Sequence, residues 1–179
     1  MGYRSSRANF RFKAFFIGLC LIAPFLLILI IAIYCQQIYS INCGGHLKRA
    51  ADANTVEMAK KELDVSLKYL EDHKMTQGST AVFWNTPDTD IGFWYQNIKS
   101  SFDELNKITS DSPQLERTNV LMKLRETLLD HGEDGDTVTE PNGIELYPFC
   151  VLMNWLFIVS VPIGLAGLVI IFTALKDDF

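Results

Sequence analysis

Four cysteines are the residues of this chain that could form a covalent cross-link: Cys20, Cys35, Cys43 and Cys150. Cys20 lies inside an apolar run and is expected to be a small packing residue. Cys43 follows the first apolar run and Cys150 opens the second, so a Cys43–Cys150 disulfide would close the segment between them. In an oxidising compartment, a closed loop of about 100 residues stabilises by roughly 4.7 kcal/mol in the chain-entropy model. A Cys35–Cys43 bond and free thiols are the alternatives.

The histidines and the acidic run at 130–136 do not match a metal site. His46, His73 and His131 are far apart, and no Cys-x-x-Cys is present. Measured against the calcium-loop pattern, positions three and twelve would be Gly132 and Pro141, which lack an oxygen side chain. We therefore predict a solvated acidic turn and no bound metal or cofactor.

No catalytic motif emerges from the remaining polar residues. The chain lacks Gly-x-Ser-x-Gly, His-Glu-x-x-His and a phosphate-binding glycine loop. The net charge of −5 and the absence of a basic patch argue against nucleic-acid binding. These absences favour a protein that is not an enzyme and that does not bind nucleic acid.

Aromatic side chains form the most unusual local feature. Phe83 and Trp84 are adjacent in a β-forming stretch, and Phe93 projects away from the apolar stripe of its predicted helix. A second stripe, opposite the apolar face of another predicted helix, consists of Met58, Val65 and Tyr69. Either these residues are covered by the domain's own sheet, or they form a surface for a binding partner.

Two uncharged apolar blocks are long enough to cross a bilayer. The first covers 14–35 and the second 149–175, and a bilayer core needs roughly 20 apolar residues. We predict two transmembrane helices, the first an uncleaved signal anchor, that flank a domain at 36–148, with short tails at 1–13 and 176–179. Pro24 and Pro162 interrupt the helices.

The positive-inside rule orients these spans. Arg4, Arg7, Arg11 and Lys13 precede the first span, which places both termini in the cytoplasm and the domain outside it. The absence of Asn-x-Ser/Thr sequons from the domain agrees with a bacterial plasma membrane. An organelle membrane is the alternative.

The second span carries small residues at close spacing, namely Ser160, Gly164 and Gly167. Small residues let two helix backbones approach each other, so this strip predicts packing on the first span or on another subunit. The alternative is that glycine is simply common in such helices.

The domain is predicted to be α+β, mainly helical, with about three helices and a small antiparallel sheet or hairpin. Apolar periodicity predicts helices at 47–73, from Thr86-Pro87 to about 105, and from Ser112-Pro113 to about 130. Gly44-Gly45 is expected to be a flexible break before the first helix. Strands are predicted at 79–84, 137–140 and 144–147, with a turn at Pro141–Gly143.

Three functions follow as hypotheses. The first is an accessory, scaffold or assembly subunit, bound to the lipid bilayer, whose domain contacts a protein partner or a second copy. The second is a ligand sensor, because the layout resembles the helical sensory domains held between two spans in bacterial receptors. It would need a separate signalling subunit. The third is an oligomeric channel subunit, against which the apolar spans argue.

Overall fold

The computed structural model describes residues 2–109, 111–132 and 135–176. The chain divides into two units, Met1–Tyr34 with Val151–Phe179, and Cys35–Cys150. About 75% is helical, and the described part contains one two-stranded sheet, which confirms the mainly helical class. Residues 133–134 of the predicted acidic turn and 177–179 of the predicted tail lie outside the described residues.

The first unit contains two long apolar helices. Helix α1 spans Gly2–Tyr39 and helix α6 spans Cys150–Lys176, with Pro24 and Pro162 inside them. By length and composition both could cross a membrane. Most of their large apolar side chains are exposed in the structure. An exposed apolar surface of this extent is uncommon on a protein surrounded by water.

In the second unit, the end of α1 is followed by a π-helical turn rather than by a flexible break. The π turn covers Ser40–Gly44 and leads directly into helix α2 at Gly45–Ala51, and both glycines have helical backbone angles. Side chains satisfy backbone carbonyls here, because Asn42 Nδ2 donates to Ile38 O at 2.7 Å and Ser66 Oγ donates to Cys43 O at 3.1 Å. The predicted break at Gly44-Gly45 is therefore wrong.

The predicted helix at 47–73 is two helices. Helix α2 ends at Ala51, and helix α3 covers Val56–Asp72. The interruption arises because Thr55 is extended and its Oγ1 accepts a hydrogen bond from Met58 N at 3.2 Å, which is a standard helix N-cap. The apolar face of α3 is buried as predicted, through Val56, Ala59, Leu63, Leu67 and Leu70.

Helix α4 covers Ile91–Lys107 and begins later than the sequence indicated. Thr86-Pro87 opens a short 3₁₀ turn at Pro87–Thr89, and Asp90 is the N-cap of α4. Asp90 Oδ1 accepts from Phe93 N at 3.0 Å. The predicted stripe of α4 is largely buried, with Ile91, Trp94, Tyr95, Ile98 and Leu105 in the core.

Helix α5 covers Gln114–Leu128 and does not occupy the centre of the bundle. Only Leu124 and Leu128 are buried among its described residues. Leu115 and Met122 are exposed.

The sheet is a two-stranded antiparallel hairpin, as predicted in kind, and its second strand shares Thr137 and Val138 with the predicted strand at 137–140. Strand β1 at Leu129–Gly132 pairs antiparallel with strand β2 at Gly135–Val138, with Leu129 opposite Val138. The predicted strand at 79–84 is a loop with a single bridge between Ser79 and Asp90. The predicted strand at 144–147 is instead the 3₁₀ turn Ile144–Leu146.

The turn before that segment does form, and it explains why no strand follows it. Gly143 has a φ of +79°, and Ile144 N donates to Pro141 O at 3.1 Å. Leu146 N and Tyr147 N then donate to Gly143 O and Ile144 O, each at 3.0 Å. These local bonds use the donors that a strand would need for pairing, and they leave Ile144 fully buried.

The core of the second unit lies among α2, α3, α4 and α5. Its largest fully buried apolar side chains are Leu47, Leu63, Leu70, Ile91, Ile98, Leu105, Leu124, Leu128 and Ile144. Helix α4, the loop before it and the chain after the hairpin therefore pack on or next to this buried core.

Candidate functional site

The loop between α3 and α4 is pinned at both ends and carries two aromatic side chains at its tip. We call residues 79–90 the aromatic loop. Thr80 N donates to Thr89 O at 3.0 Å, and Ile91 N donates to Gly78 O at 3.1 Å. The Thr89 hydroxyl oxygen accepts from Ser79 Oγ and from the backbone N of Thr86, both at 3.1 Å. Hydrogen bonds at its base thus join the two ends of this loop.

The aromatic rings of the loop and of the first turn of α4 are largely exposed. Phe83 is 59% exposed, Trp84 is 81% exposed, and their ring centroids are 5.7 Å apart. Phe93, on the first turn of α4, is 66% exposed. An open groove of about 650 Å³ joins Phe93 to both ends of the loop, and its lining is Gly78, Ser79, Asn85, Thr86, Pro87, Asp90 and Phe93. We call Phe83, Trp84 and Phe93 the aromatic surface.

The second predicted stripe is only partly exposed. Met58 and Val65 are exposed on α3, whereas Tyr69 is half-buried and packs against the core. The Tyr69 ring stacks on His73 with centroids 4.1 Å apart and meets the Tyr39 ring edge-on at 6.3 Å. Tyr69 therefore contributes to the core rather than to an open surface.

A second groove adjoins Phe93 and was missed by the sequence analysis. It has a volume of about 370 Å³ and lies beside α4, the end of α5 and the chain after β2. We call it the acidic groove, because the charged residues in its lining are Asp88, Asp90, Asp130 and Glu140. Asp90 is the N-cap of α4, and sequence reasoning could not bring Asp130 and Glu140 to the same place as Asp88 and Asp90.

Hydrogen bonds fix one wall of the acidic groove. Trp94 Nε1 donates to Thr139 O at 2.6 Å, and Tyr39 OH donates to Glu140 Oε2 at 2.7 Å. Desolvation raises the pKa of the Glu140 carboxyl, and the hydrogen bond from Tyr39 acts in the opposite direction. The chain at 139–140 is therefore attached to α4 and to the end of α1.

Two histidines of the domain, His46 and His131, each pair with an acidic residue. Glu62 is buried, and its carboxylate forms ion pairs with two side chains: His46 Nδ1 lies 2.6 Å from Oε2, and Arg49 Nη2 lies 2.8 Å from Oε1. Asp136 is bonded by His131 Nδ1 at 2.7 Å and Arg125 Nη2 at 2.9 Å, which lowers its pKa. Within 2–109, 111–132 and 135–176, no three His, Cys, Asp or Glu residues are grouped in a way that could hold a metal ion.

None of Cys20, Cys35, Cys43 and Cys150 forms a disulfide in the structure. Cys43 is fully buried, and Cys150 is buried with its Sγ 3.4 Å from Gly143 O. The predicted Cys43–Cys150 disulfide is therefore not formed in this structure. Cys43 instead belongs to the buried cluster of the domain.

In the first unit, small residues lie where the two long helices meet. Ser160, Gly164 and Gly167 are all buried, and Ser160 Oγ donates to Phe157 O at 3.1 Å. A Cβ on Gly167 would lie 2.7 Å from Gly18 O, and one on Gly164 would lie 3.4 Å from Phe25 Cβ. Gly18, which the sequence analysis did not select, is thus the residue of α1 that approaches α6 most closely at Gly167.

Comparison with models of protein families, with curated proteins and with solved structures finds no match for this chain.

Proposed function

We propose that this protein is a non-enzymatic integral membrane protein whose domain at 36–148 docks onto another protein. Helices α1 and α6 are its two membrane spans, and the bilayer covers their exposed apolar side chains. The domain lies outside the cytoplasm, both termini lie inside it, and a bacterial plasma membrane is the setting. The protein is an accessory, scaffold or assembly subunit in this proposal.

Two observations support the membrane part of the proposal. Both helices pass the length and composition test for a span, and their large apolar side chains are exposed over most of their length. Four basic residues, Arg4, Arg7, Arg11 and Lys13, precede the first span, which favours a cytoplasmic N-terminus.

The observation that carries the docking part is the aromatic surface. Interface positions that dominate binding energy are enriched in tryptophan and tyrosine, and a loop fixed before binding loses little entropy when a partner covers it. The exposed faces of Trp84 and Phe93 do not stabilise the folded domain, because they remain in contact with water. A partner that covers these faces removes their apolar area from water, which favours binding.

Site-specific photo-crosslinking in native membranes tests this proposal. A benzophenone amino acid replaces Trp84 in one variant and Phe93 in another, and Met122 in a control variant, because Met122 is an exposed apolar residue on α5. We expect the same heterologous protein in crosslinks from positions 84 and 93, and not from position 122. Identical crosslinks from all three positions, or none from 84 and 93, would contradict the docking proposal.

The membrane part needs its own measurement. Single-cysteine variants in a background without the four native cysteines are labelled in intact cells with a membrane-impermeant maleimide. We expect labelling at Trp84→Cys and none at Lys13→Cys until the cells are lysed. Equal labelling of both positions in intact cells would contradict the orientation.

A further inference from the structure

Basic side chains are concentrated at the end of the chain that precedes the first span. Arg4, Arg7, Arg11 and Lys13 all lie within the first 13 residues, which contain no acidic side chain. Together with the tail at 176–179, these residues carry five basic and two acidic side chains, a net charge of +3. The remainder of the chain carries 11 basic and 19 acidic side chains, a net charge of −8. Anions are therefore attracted to these terminal segments and repelled by the rest of the chain.

A groove lies beside Arg11 in the first unit. It has a volume of about 270 Å³, and its lining is Arg11, Phe12, Phe15, Ala174 and Leu175. We call it the span-end groove. Arg11 Nε donates to Ala174 O at 2.9 Å, which holds the guanidinium group next to the end of α6. A positioned cationic group thus adjoins an otherwise apolar lining.

The position of the span-end groove along the helices corresponds to the surface of a bilayer. Arg11 and Lys13 come directly before the first apolar block, and Ala174 and Leu175 end the second. In the proposed membrane arrangement, both pairs of residues lie where the hydrocarbon core ends and the lipid headgroups begin. Lys13 is exposed, and a lysine at the end of a span extends its ammonium group into the headgroup region.

The lining of the groove matches the two parts of a phospholipid. A guanidinium group binds phosphate through charge-assisted hydrogen bonds whose geometry fits the phosphate oxygens. Phe12, Phe15 and Leu175 are exposed apolar side chains of the same groove, and they offer a surface on which an acyl chain packs. A free phosphate ion would use the charge and leave this apolar surface uncovered. The combination therefore favours a lipid as the occupant.

We propose that the span-end groove binds an anionic phospholipid of the cytoplasmic leaflet, with its phosphate on Arg11 and its first acyl-chain carbons against Phe12 and Phe15. Lys13 and the basic residues before Arg11 add an attraction for the net charge of this lipid that a zwitterionic lipid does not gain. Clusters of four or more basic residues at the cytoplasmic end of a span are typical of binding to anionic lipids. This inference rests on the membrane part of the proposed function, and it is independent of what docks on the aromatic surface.

Retention of lipid by the full chain in detergent tests the proposal. The purified protein is mixed with equal amounts of phosphatidylglycerol and phosphatidylcholine that carry the same acyl chains, and the bound lipids are counted by native mass spectrometry. Phosphatidylglycerol carries a net negative charge, whereas phosphatidylcholine carries none. We expect phosphatidylglycerol to bind more than about 20-fold more tightly, since each basic side chain near an anionic surface contributes about fivefold. Equal retention of the two lipids would overturn the proposal.

Paired substitutions separate the span-end groove from the net charge of the chain. Arg11→Gln/Lys13→Gln removes two positive charges and should weaken phosphatidylglycerol binding roughly 20-fold, by the same contribution per charge. Lys61→Gln/Lys68→Gln removes two exposed lysines of α3, which belong to the second unit and do not line the groove. This control should weaken binding by less than about twofold, because exposed charges away from the lipid are screened. Equal losses in both pairs would mean attraction by net charge alone and would overturn the proposal.

A conservative variant separates loss of charge from damage to the helix pair. Arg11→Lys keeps the positive charge but removes the guanidinium group that donates to Ala174 O. It should weaken phosphatidylglycerol binding by no more than about threefold, because an ammonium group still attracts phosphate but lacks the paired donors. A loss as large as that of Arg11→Gln/Lys13→Gln would show that charge does not bind the lipid, and it would overturn the proposal.

Matched phenylalanine variants and a soluble probe test the apolar part of the site. Phe15→Ala removes a ring from the groove and should weaken phosphatidylglycerol binding about threefold, because less apolar area is buried. Phe172→Ala removes an exposed ring of α6 that does not line the groove, and it should leave binding unchanged. The headgroup analogue sn-glycerol 3-phosphate should not displace the lipid, since it has no acyl chain. Displacement at a concentration equal to that of the lipid would reveal a site for soluble phosphates, and the assignment to a lipid would be wrong.

The outcome can be distinguished from that of the proposed function. Maleimide labelling of Lys13→Cys reports the orientation of the first span without reference to bound lipid. If that residue is labelled only after lysis while the two lipids are retained equally, the membrane arrangement stands and this inference fails. If phosphatidylglycerol binds as expected but Lys13→Cys is labelled in intact cells, the groove binds an anionic lipid and the proposed orientation fails.

Discussion

The contact between Gly18 and Gly167 makes the pairing of the two long helices sensitive to a single methyl group. A Cβ on Gly167 would lie 2.7 Å from Gly18 O, 3.0 Å from Ile22 Cγ1 and 3.0 Å from Leu21 Cβ. A carbon atom and a carbonyl oxygen normally approach to about 3.3–3.6 Å. Gly167→Ala therefore requires the helices to separate by about 0.6 Å at this point.

The cost of this separation follows from packing energetics. A gap of about 0.5–1 Å forfeits a quarter to a half of the van der Waals energy of the atoms that face it. Substitutions that overpack a well-packed contact cost about 1–3 kcal/mol. We expect Gly167→Ala to weaken the association of α1 and α6 by an amount in that range.

Gly164→Ala is the matched control, because its added methyl group would make an ordinary contact with Phe25 Cβ at 3.4 Å. The added methyl group requires no movement of either helix, so this variant should leave the free energy of helix separation about unchanged. The free energy of helix separation is measured by steric trapping of the full chain in bicelles, with one biotin label on each helix. If Gly167→Ala is as stable as Gly164→Ala, the close approach at Gly18 does not exist and the reasoning is refuted.

Three further perturbations test the second unit. Leu63→Ala should lower the free energy of unfolding by about 2–5 kcal/mol in chemical denaturation, because Leu63 is fully buried; a loss below about 1 kcal/mol would contradict its core position. Thr55→Ala should cost about 1 kcal/mol by the same assay, whereas Thr55→Asp should restore the N-cap of α3, and equal stability of both variants would contradict the cap. Hydrogen bonds, chiefly from His131 and also from Arg125, lower the pKa of Asp136 in the folded protein. These bonds therefore stabilise the fold above the ordinary aspartate pKa of about 3.9, and the stabilisation is lost as the pH falls towards the lowered pKa of Asp136. Asp136→Asn should flatten the fall in stability below about pH 4, and an unchanged pH profile would refute the assignment.

Helices could be predicted from the sequence where apolar spacing and caps agree. The buried face of α3 follows from residues three and four apart, and the two long apolar helices follow from length and absence of charge. The boundary at 52–55 was missed, because the apolar spacing from Leu47 to Leu70 continues across it. Thr55 was available as a cap signal, since a threonine directly precedes Val56.

The strands could not be predicted, because pairing depends on which segments meet. The stretch at 79–84 has strand-forming residues, yet only Ser79 forms a bridge, with Asp90. The stretch at 129–132 contains Asp130, His131 and Gly132, which are poor strand formers, yet it pairs antiparallel with 135–138. Local composition favoured the wrong segment in both cases.

Only some residues of the candidate site could be predicted from the sequence. Phe93 could be selected because it projects away from the buried stripe, and Trp84 because neighbouring strand residues cannot both be buried. The acidic groove could not be found, since Asp88, Asp130 and Glu140 are joined only by the packing of α4 and α5 and by the course of the chain after β2. The approach of Gly18 to Gly167 also requires the paired helices to be seen together.

The most direct test of the central claim compares association and stability in one sample. The full chain with Trp84→Ala is purified from native membranes in mild detergent beside the unmodified chain and a Met122→Ala control. We measure both the amount of co-purified partner, identified by the crosslink from position 84, and the midpoint of thermal unfolding. The account predicts that Trp84→Ala loses the partner while its unfolding midpoint stays the same, and that Met122→Ala loses neither. A Trp84→Ala variant that keeps its partner but unfolds at a lower temperature would show that Trp84 supports the fold, and it would contradict the docking function.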